Sequence, residues 1–320
     1  MRREEPPREI APGVVLVDTG YVRPGLAAAY LVRGARSAAV IETGTALSVP
    51  RILAALAAHR IPRDGVSHVV VTHVHLDHAG GAGALLRELP RARLVVHPRG
   101  ARHMIDPSKL LAGAAEVYGG EDRLRAMYGE VAPAPAERVD EAPDGFALDL
   151  GGRPLRFLDA PGHARHHFVV HDPESRGFFT GDTFGIAYPE FATAHGPFMF
   201  PTTTPVQLDP PALHASIDRM LAERPDRMYL THYGMVEGDL GRDARALHRA
   251  IDEHVEVARR APPGAGRHEA IREGLAEQLL GALERHGWKG GRGEALSAFA
   301  VDLDLNAQGL GVWLDAQAKP

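Results

Sequence analysis

Short apolar runs, broken by glycine and proline, dominate the first hundred positions. The runs at 14–18, 27–32 and 38–42 are short and rich in Val, Ala and Ile, which predicts strands. Positions 48–59 change period. Ile52, Leu53 and Leu56 share one helical face, and Ser48 is placed to cap the helix. The run 67–72, SHVVVT, is β-branched and unbroken, as in a strand buried on both faces. A helix at 82–89 and a short strand at 94–97 follow. Strand alternating with helix predicts an α/β layered fold.

Residues 99–130 mix helix and loop, and 131–145 (VAPAPAERVDEAPDG) reads as a connecting loop. Four strand-like runs come next, at 146–150, 154–159, 167–171 and 177–180. Residues 185–209 are rich in Phe, Pro and Thr without a helical period, and so long a loop is usually functional or a lid. Asp209 can cap a helix running to about Leu221, and 227–230 is a last short strand. Beyond 239 the pattern changes to charged amphipathic helices at 239–260 and 268–286, with two shorter helices in 293–317. The expected organisation is a flexible tail at 1–12, a catalytic-type body at 13–237 and a helical region at 238–320.

Composition narrows the chemistry. The chain has 320 residues, 44% hydrophobic and 24% charged, an ordinary globular balance. A net charge of −5 supplies no basic field for nucleic acid. The absence of cysteine excludes a disulfide framework, a thiol nucleophile and a thiolate zinc site. No apolar run reaches the roughly 18 residues of a membrane span, so no membrane association is expected. The start MRREEPPREI is charged and Pro-rich with no apolar segment, so no secretory signal is read and the expected compartment is the cytoplasm. The unusual figure is 18 histidines.

Four of the chemistry-bearing residues lie together. Thr72-His73-Val74-His75-Leu76-Asp77-His78-Ala79-Gly80-Gly81 follows the buried strand, at the strand end where α/β folds place their sites. His73 and His75 point to one side of an extended chain, while Asp77 and His78 in the turn can face a second point. Imidazole and carboxylate suit zinc, iron or manganese. One segment thus offers ligands to two ions. Further ligands sit at other strand ends: His163 in APGH, Asp182 in TGD and His232 in LTH.

The ordered set H-x-H-x-D-H, then His, Asp and His, resembles the metallo-β-lactamase superfamily over about residues 13–235, in its glyoxalase II-like and lactonase-like form. The resemblance implies a four-layer αββα sandwich with the site between the sheet edges. It assigns His73, His75 and His163 to one metal, Asp77, His78 and His232 to the other, and Asp182 as the bridge. It implies two zinc ions per chain, with two irons as the alternative. It also implies a hydrolase in which a metal-bridging hydroxide attacks a small ester, thioester or lactone carbonyl. Asp77 would also orient that hydroxide. The expected partner is a small-molecule substrate. A diiron oxygen-binding, redox or sensor protein is the alternative on the same fold, although the all-His H-x-H argues against the flavin-linked reductases.

Other residues carry two readings each. Glu42 stands where the superfamily usually has Asp, and is either a group beside the metal loop or a simple turn acid. The similar Asp18-Thr19-Gly20 comes too early and is treated as a decoy. Tyr188 could donate its phenol to a substrate carbonyl, as in lactonase-like relatives, or could pack the 185–209 loop. His166 could support the site or touch substrate, and His167 packs; His59, His97, His171 and His214 are read as structural or surface. Phe184, Phe191, Phe198, Met199 and Phe200 would line a lid or a homodimer contact. Thr202-Thr203-Thr204 offers hydroxyl donors, and Leu310, Val312, Trp313 and Leu314 form an apolar patch expected to pack on the body.

Overall fold

The computed structural model describes residues 6–203 and 207–318. Its first sheet takes the strands in chain order: β1 (Arg8–Ala11), β2 (Val14–Asp18), β3 (Ala28–Arg33), β4 (Ala38–Ile41), β5 (Val66–Val70), β6 (Arg93–Val96) and β7 (Val139–Glu141). Pairing is antiparallel from β1 to β4 and parallel from β4 to β7. Helix α1 (Val49–Ala58) joins β4 to β5. The short α2 (Leu76–Ala79) and α3 (Ala82–Glu88) join β5 to β6. Three more, α4 (Pro98–Ile105), α5 (Ser108–Tyr118) and α6 (Glu121–Tyr128), precede β7.

The second sheet has the order β8 (Ala147–Asp149), β9 (Pro154–Asp159), β10 (Phe168–Asp172), β11 (Gly177–Gly181), β12 (Arg227–Leu230), β13 (Gly234–Glu237). It is an antiparallel meander through β11, and β12 then runs parallel to β11.

The inner strands β2, β3 and β4 of the first sheet are apolar without alternation because both faces are covered. Val15, Val17, Leu31, Val40, Leu94 and Val96 pack with Ile52 and Leu56 of α1 and Leu85 and Leu86 of α3. Val14, Leu16, Tyr30, Ile41 and Val95 face the other way, against Phe157, Phe168, Val170 and Phe179 of the second sheet. With a side-chain period of two, one run of Val, Leu and Ile serves both layers.

Three edge strands were not legible, among them β13, which lies beyond the run at 227–230 read as the last strand. Residues 8–11, read as part of a flexible tail, pair with β2, with Arg8 opposite Leu16 and Glu9 opposite Val15. Residues 139–141, read as loop, pair with β6. An edge strand is hydrogen-bonded on one side only and tolerates charge, so its apolar pattern is weak. The α1 cap also differs: Thr45 and Ser48 form a capping box on the turn before the helix, and the Ser48 side chain makes no cap bond to α1 itself. The 209 cap is as expected, with Asp209 Oδ1 accepting from the Ala212 amide at 3.1 Å ahead of α7 (Pro210–Ala222).

Contacts divide the described residues into two compact units, and the division does not follow the boundary expected at 237. The first holds the chain through Asp159, His166–Gly181 and Pro225–Met235. The second holds Ala160–Arg165, Asp182–Arg224 and the chain from Val236 onward. The latter includes α8 (Leu240–Arg260), α9 (Arg267–Arg285), α10 (Arg292–Ala298) and α11 (Ala300–Gln317). The described residues of the 185–209 segment belong to it, and Ile186 pairs with Phe200 in a small bridge. No helix among the described residues is long and apolar enough to cross a membrane.

His254 of α8 is fully buried, and desolvation pushes its imidazole down to about 4. The unfolded chain takes up that proton at the ordinary value of about 6.5. Stability is therefore fully present above about 6.5 and is drained as the pH falls toward 4. Replacing His254 by Leu should make the loss of unfolding free energy between about pH 7 and pH 4.5 smaller by ~2 kcal/mol, measured by urea titration.

Candidate metal centre

Parallel β4 and β5 end side by side, so Glu42 after β4 lies next to the segment that follows β5. Glu42 is buried and left-handed, with φ of 65°. Three donors converge on its Oε1. The Thr72 hydroxyl donates to it, the Thr231 hydroxyl donates at 3.3 Å, and His78 Nδ1–H lies at 3.3 Å. A buried carboxylate is tolerated when hydrogen-bonded in this way. The left-handed backbone, costing on the order of 1–2 kcal/mol, turns the carboxylate toward all three.

These bonds assign protons. An ionised carboxylate accepts only, so His78 carries hydrogen on Nδ1 and presents a lone pair at Nε2. His232 Nδ1 lies 2.8 Å from the Leu26 carbonyl, which also accepts only, so its lone pair is likewise at Nε2. The two Nε2 atoms are 3.3 Å apart. Asp77 Oδ2 is 3.4 Å from His232 Nε2 and 3.9 Å from His78 Nε2. Two lone-pair nitrogens and a carboxylate oxygen facing one another are a donor set for a borderline divalent cation, with both imidazoles oriented by an outer acceptor.

His73 joins the same network. Its Nδ1 is 3.1 Å from Thr72 Oγ1, which spends its own hydrogen on Glu42, and its Nε2 is 2.9 Å from His75 Nδ1. His73 is fully buried, and the His167 ring stacks on it with centroids 4.7 Å apart. His166, half-buried, lies nearly parallel to His73 at 6.3 Å and edge-on to His75 at 5.9 Å. Gly181 ends β11 with φ of 50°, and a Cβ there would come within 2.5 Å of both His167 Nε2 and Thr72 Oγ1.

In the second unit His163 Nε2 and Asp182 Oδ2 lie 3.3 Å apart, both buried. The turn that delivers His163 is held by α7. The Gly162 carbonyl accepts from the Asp209 amide at 2.8 Å, and the Ser216 hydroxyl donates to the Pro161 carbonyl at 2.7 Å. Gly162 has φ of 130°, and a Cβ there would strike the Leu213 backbone at 2.3 Å.

Tyr188 is buried and donates its phenol to Asp302 Oδ1 of α11 at 3.0 Å, with its ring against Phe200 and Phe299. These contacts describe the packing reading. Phe184, Phe191, Phe198, Met199 and Phe200 are buried inside the chain, the Phe191 ring stacking on Phe299 at 4.4 Å, so they present no open surface for a second copy. The Thr203 amide donates to Asn306 Oδ1 at 2.6 Å, while Thr204 lies outside the described residues. Of the C-terminal patch, Leu310 is buried, Trp313 and Leu314 are half-buried with the Arg259 guanidinium over Trp313, and Val312 is exposed, so it does not pack as one patch. His97 caps α4, His171 stacks on Phe178, and Asp18 closes its own loop by accepting from the Gly20 and Gly25 amides.

Sequence reasoning missed Thr72 and Thr231. A signal was present: Thr precedes His at both 72–73 and 231–232, and both hydroxyls end on Glu42.

The family model of the metallo-beta-lactamase superfamily matches residues 22–232. A metallo-beta-lactamase fold-containing protein of Sulfurisphaera tokodaii, ST1585, is 28% identical over 228 residues, covering 70% of this chain and 79% of that protein. Its crystal structure superposes with a TM-score of 0.59 over 85% of this chain and 98% of its own. The bovine acyl-coenzyme A thioesterase MBLAC2 is 28% identical over 188 residues, 55% of this chain and 64% of that enzyme. A hydroxyacylglutathione hydrolase of Cupriavidus taiwanensis is 32% identical over 200 residues, 61% and 58% of the two chains. The chain thus spans somewhat under two thirds of either named hydrolase.

Glu42→Ala should lower zinc affinity by about 10–100-fold in competition with a chromophoric chelator, because His78, Thr72 and Thr231 lose their common acceptor. Gly181→Ala should lower the thermal midpoint by several degrees, since the new methyl meets His167 and Thr72 in a strained backbone conformation.

Proposed function

The chain belongs to the metallo-β-lactamase superfamily, and from that membership we propose that it is a dinuclear metal-dependent hydrolase of small acyl thioesters. The observation that carries the reading is the convergence of Asp77 Oδ2, His78 Nε2 and His232 Nε2, with both imidazole protons held by acceptors outside that set. Relatives named as a thioesterase and a hydroxyacylglutathione hydrolase support the bond class. In this reading His73, His75 and His163 would hold one ion, Asp77, His78 and His232 would hold the other, and Asp182 would be available to both.

Two bound cations would supply a water of lowered pKa and a Lewis acid for the developing oxyanion. The side chains do the rest. Glu42 keeps His78 in one tautomer, and through Thr72 it does the same for His73. Asp77, more exposed than His78 and His232, would hold a cation with one carboxylate oxygen and, with the other, accept from and orient a water. Thioesters suit the site better than ordinary esters. A thiol with a pKa of about 8.5 leaves as thiolate with little help, whereas an alkoxide needs a proton donor. Tyr188 spends its hydrogen on Asp302 and takes no part in this scheme.

Zinc is the proposed metal, since thiolate-free nitrogen and oxygen donors suit it; the same donors also suit iron. Protein purified without added metal should contain about two zincs per chain by elemental mass spectrometry. It should release thiol from acyl thioesters, lose that activity to chelator and regain it with zinc. Asp77→Asn should cut kcat by about 100-fold or more while one zinc or more remains bound. Two irons, an oxygen-dependent absorbance band and no thiol release would overturn the hydrolase in favour of oxygen or redox chemistry.

A further inference from the structure

A second group of histidines lies on α7 and α8 and has no part in the proposed reaction. His214 Nδ1 is 2.6 Å from His248 Nδ1, with the ring centroids 4.8 Å apart and the planes inclined by 28°. The other nitrogen of each ring faces a carboxylate on the opposite helix. His214 Nε2 is 3.1 Å from Asp252 Oδ1 on α8, and His248 Nε2 is 3.1 Å from Asp218 Oδ1 on α7. The arrangement is reciprocal. Each helix gives one histidine and, one turn later, the carboxylate for the histidine of the other helix.

The hydrogen-bond inventory fixes what these atoms present. An ionised carboxylate accepts only, so each Nε2 carries its hydrogen, and each Nδ1 turns a lone pair toward the other. Two lone pairs at 2.6 Å repel unless an electron-pair acceptor lies between them. A proton would serve, and so would a metal ion.

We propose that His214 and His248 form a surface site for a divalent transition-metal ion, separate from the centre around Glu42. Their Nδ1 atoms are two ligands and water completes the shell. Three features favour the ion. The imidazoles are already oriented by carboxylates, the outer arrangement found behind metal-bound histidines. Two carboxylates offset a double positive charge. The histidine side chains retain 27% and 23% exposure, so water reaches the open positions. The adjustment needed is small. Tetrahedral zinc with bonds of about 2.0–2.1 Å asks for nitrogens about 3.3 Å apart, an opening of under ~1 Å from the present contact. The bound ion would clamp α7, the helix that holds the His163 turn, to α8.

The test uses the full chain, first saturated with zinc and freed of excess. Wild type and His248→Gln are titrated in parallel with nickel(II) by calorimetry, and their thermal midpoints are followed with and without nickel. The expected result is one more equivalent bound by wild type than by the variant, with a nickel-dependent rise in midpoint in wild type alone. An Asp218→Asn, Asp252→Asn double variant should keep the site but weaken it by about 10-fold or more, because the rings lose their fixed tautomers. Equal nickel binding and equal midpoints for wild type and His248→Gln would overturn the proposal and leave the pair bridged by a proton. Since nickel uptake at α7 and α8 is counted against a single-site variant, a failure of thioester hydrolysis does not bear on it.

Discussion

One buried oxygen, Oε1 of Glu42, organises the candidate site. It accepts from Thr72 and His78, both in the segment that follows β5, and from Thr231, which follows β12. The consequences follow from acceptor bookkeeping. A carboxylate that takes the His78 Nδ1 hydrogen leaves Nε2 basic, and a threonine that gives its hydrogen to the carboxylate can only accept from His73. Protonation states of the ligating rings are thus decided outside the ligand set. The unfavourable left-handed backbone at Glu42 is sustained because the surrounding contacts determine its position several times over.

The fold makes that convergence available by running strands in parallel where it matters. β4 and β5 deliver Glu42 and the 71–78 segment to one end of the first sheet, and β11 and β12 deliver residues 182 and 231–232 to one end of the second. The other pairs, parallel from β5 to β7 and antiparallel from β1 to β4 and from β8 to β11, serve as packing. The continuous apolar strands hold the two sheets together through Tyr30, Phe157, Phe168 and Phe179. Small residues then let backbone approach side chain at the strand ends, as Gly181 does beside His167 and Gly162 does beside Leu213.

What could be read from the pattern depended on how many sides of an element are buried. Strands covered on both faces stood out, as at 14–18 and 38–41. The edge strands at 8–11 and 139–141 did not, because one bonded side permits Arg, Glu and Asp in the run. The 185–209 loop showed its apolar content but not its destination. Phe191, Phe198 and Phe200 gather round Phe299, about a hundred residues away, and no local period encodes that. The unit boundary was hidden for the same reason: residues 160–165 and 182–224 group with the C-terminal helices through contacts remote in sequence.

By itself the sequence determined the layered α/β class, the superfamily and the candidate ligands, since spacing within one short segment dictates which side chains can share a point. Tertiary structure alone decided which nitrogen of each ring is basic, that Thr72 and Thr231 serve Glu42, and that Tyr188 answers to Asp302. It alone made His214, read from sequence as structural or surface, the partner of His248. The reason is physical. A proton is placed by whatever acceptor the folded chain brings within about 3 Å, and the acceptors that serve Thr72, Thr231, His78, His232 and Tyr188 all lie at least thirty residues away.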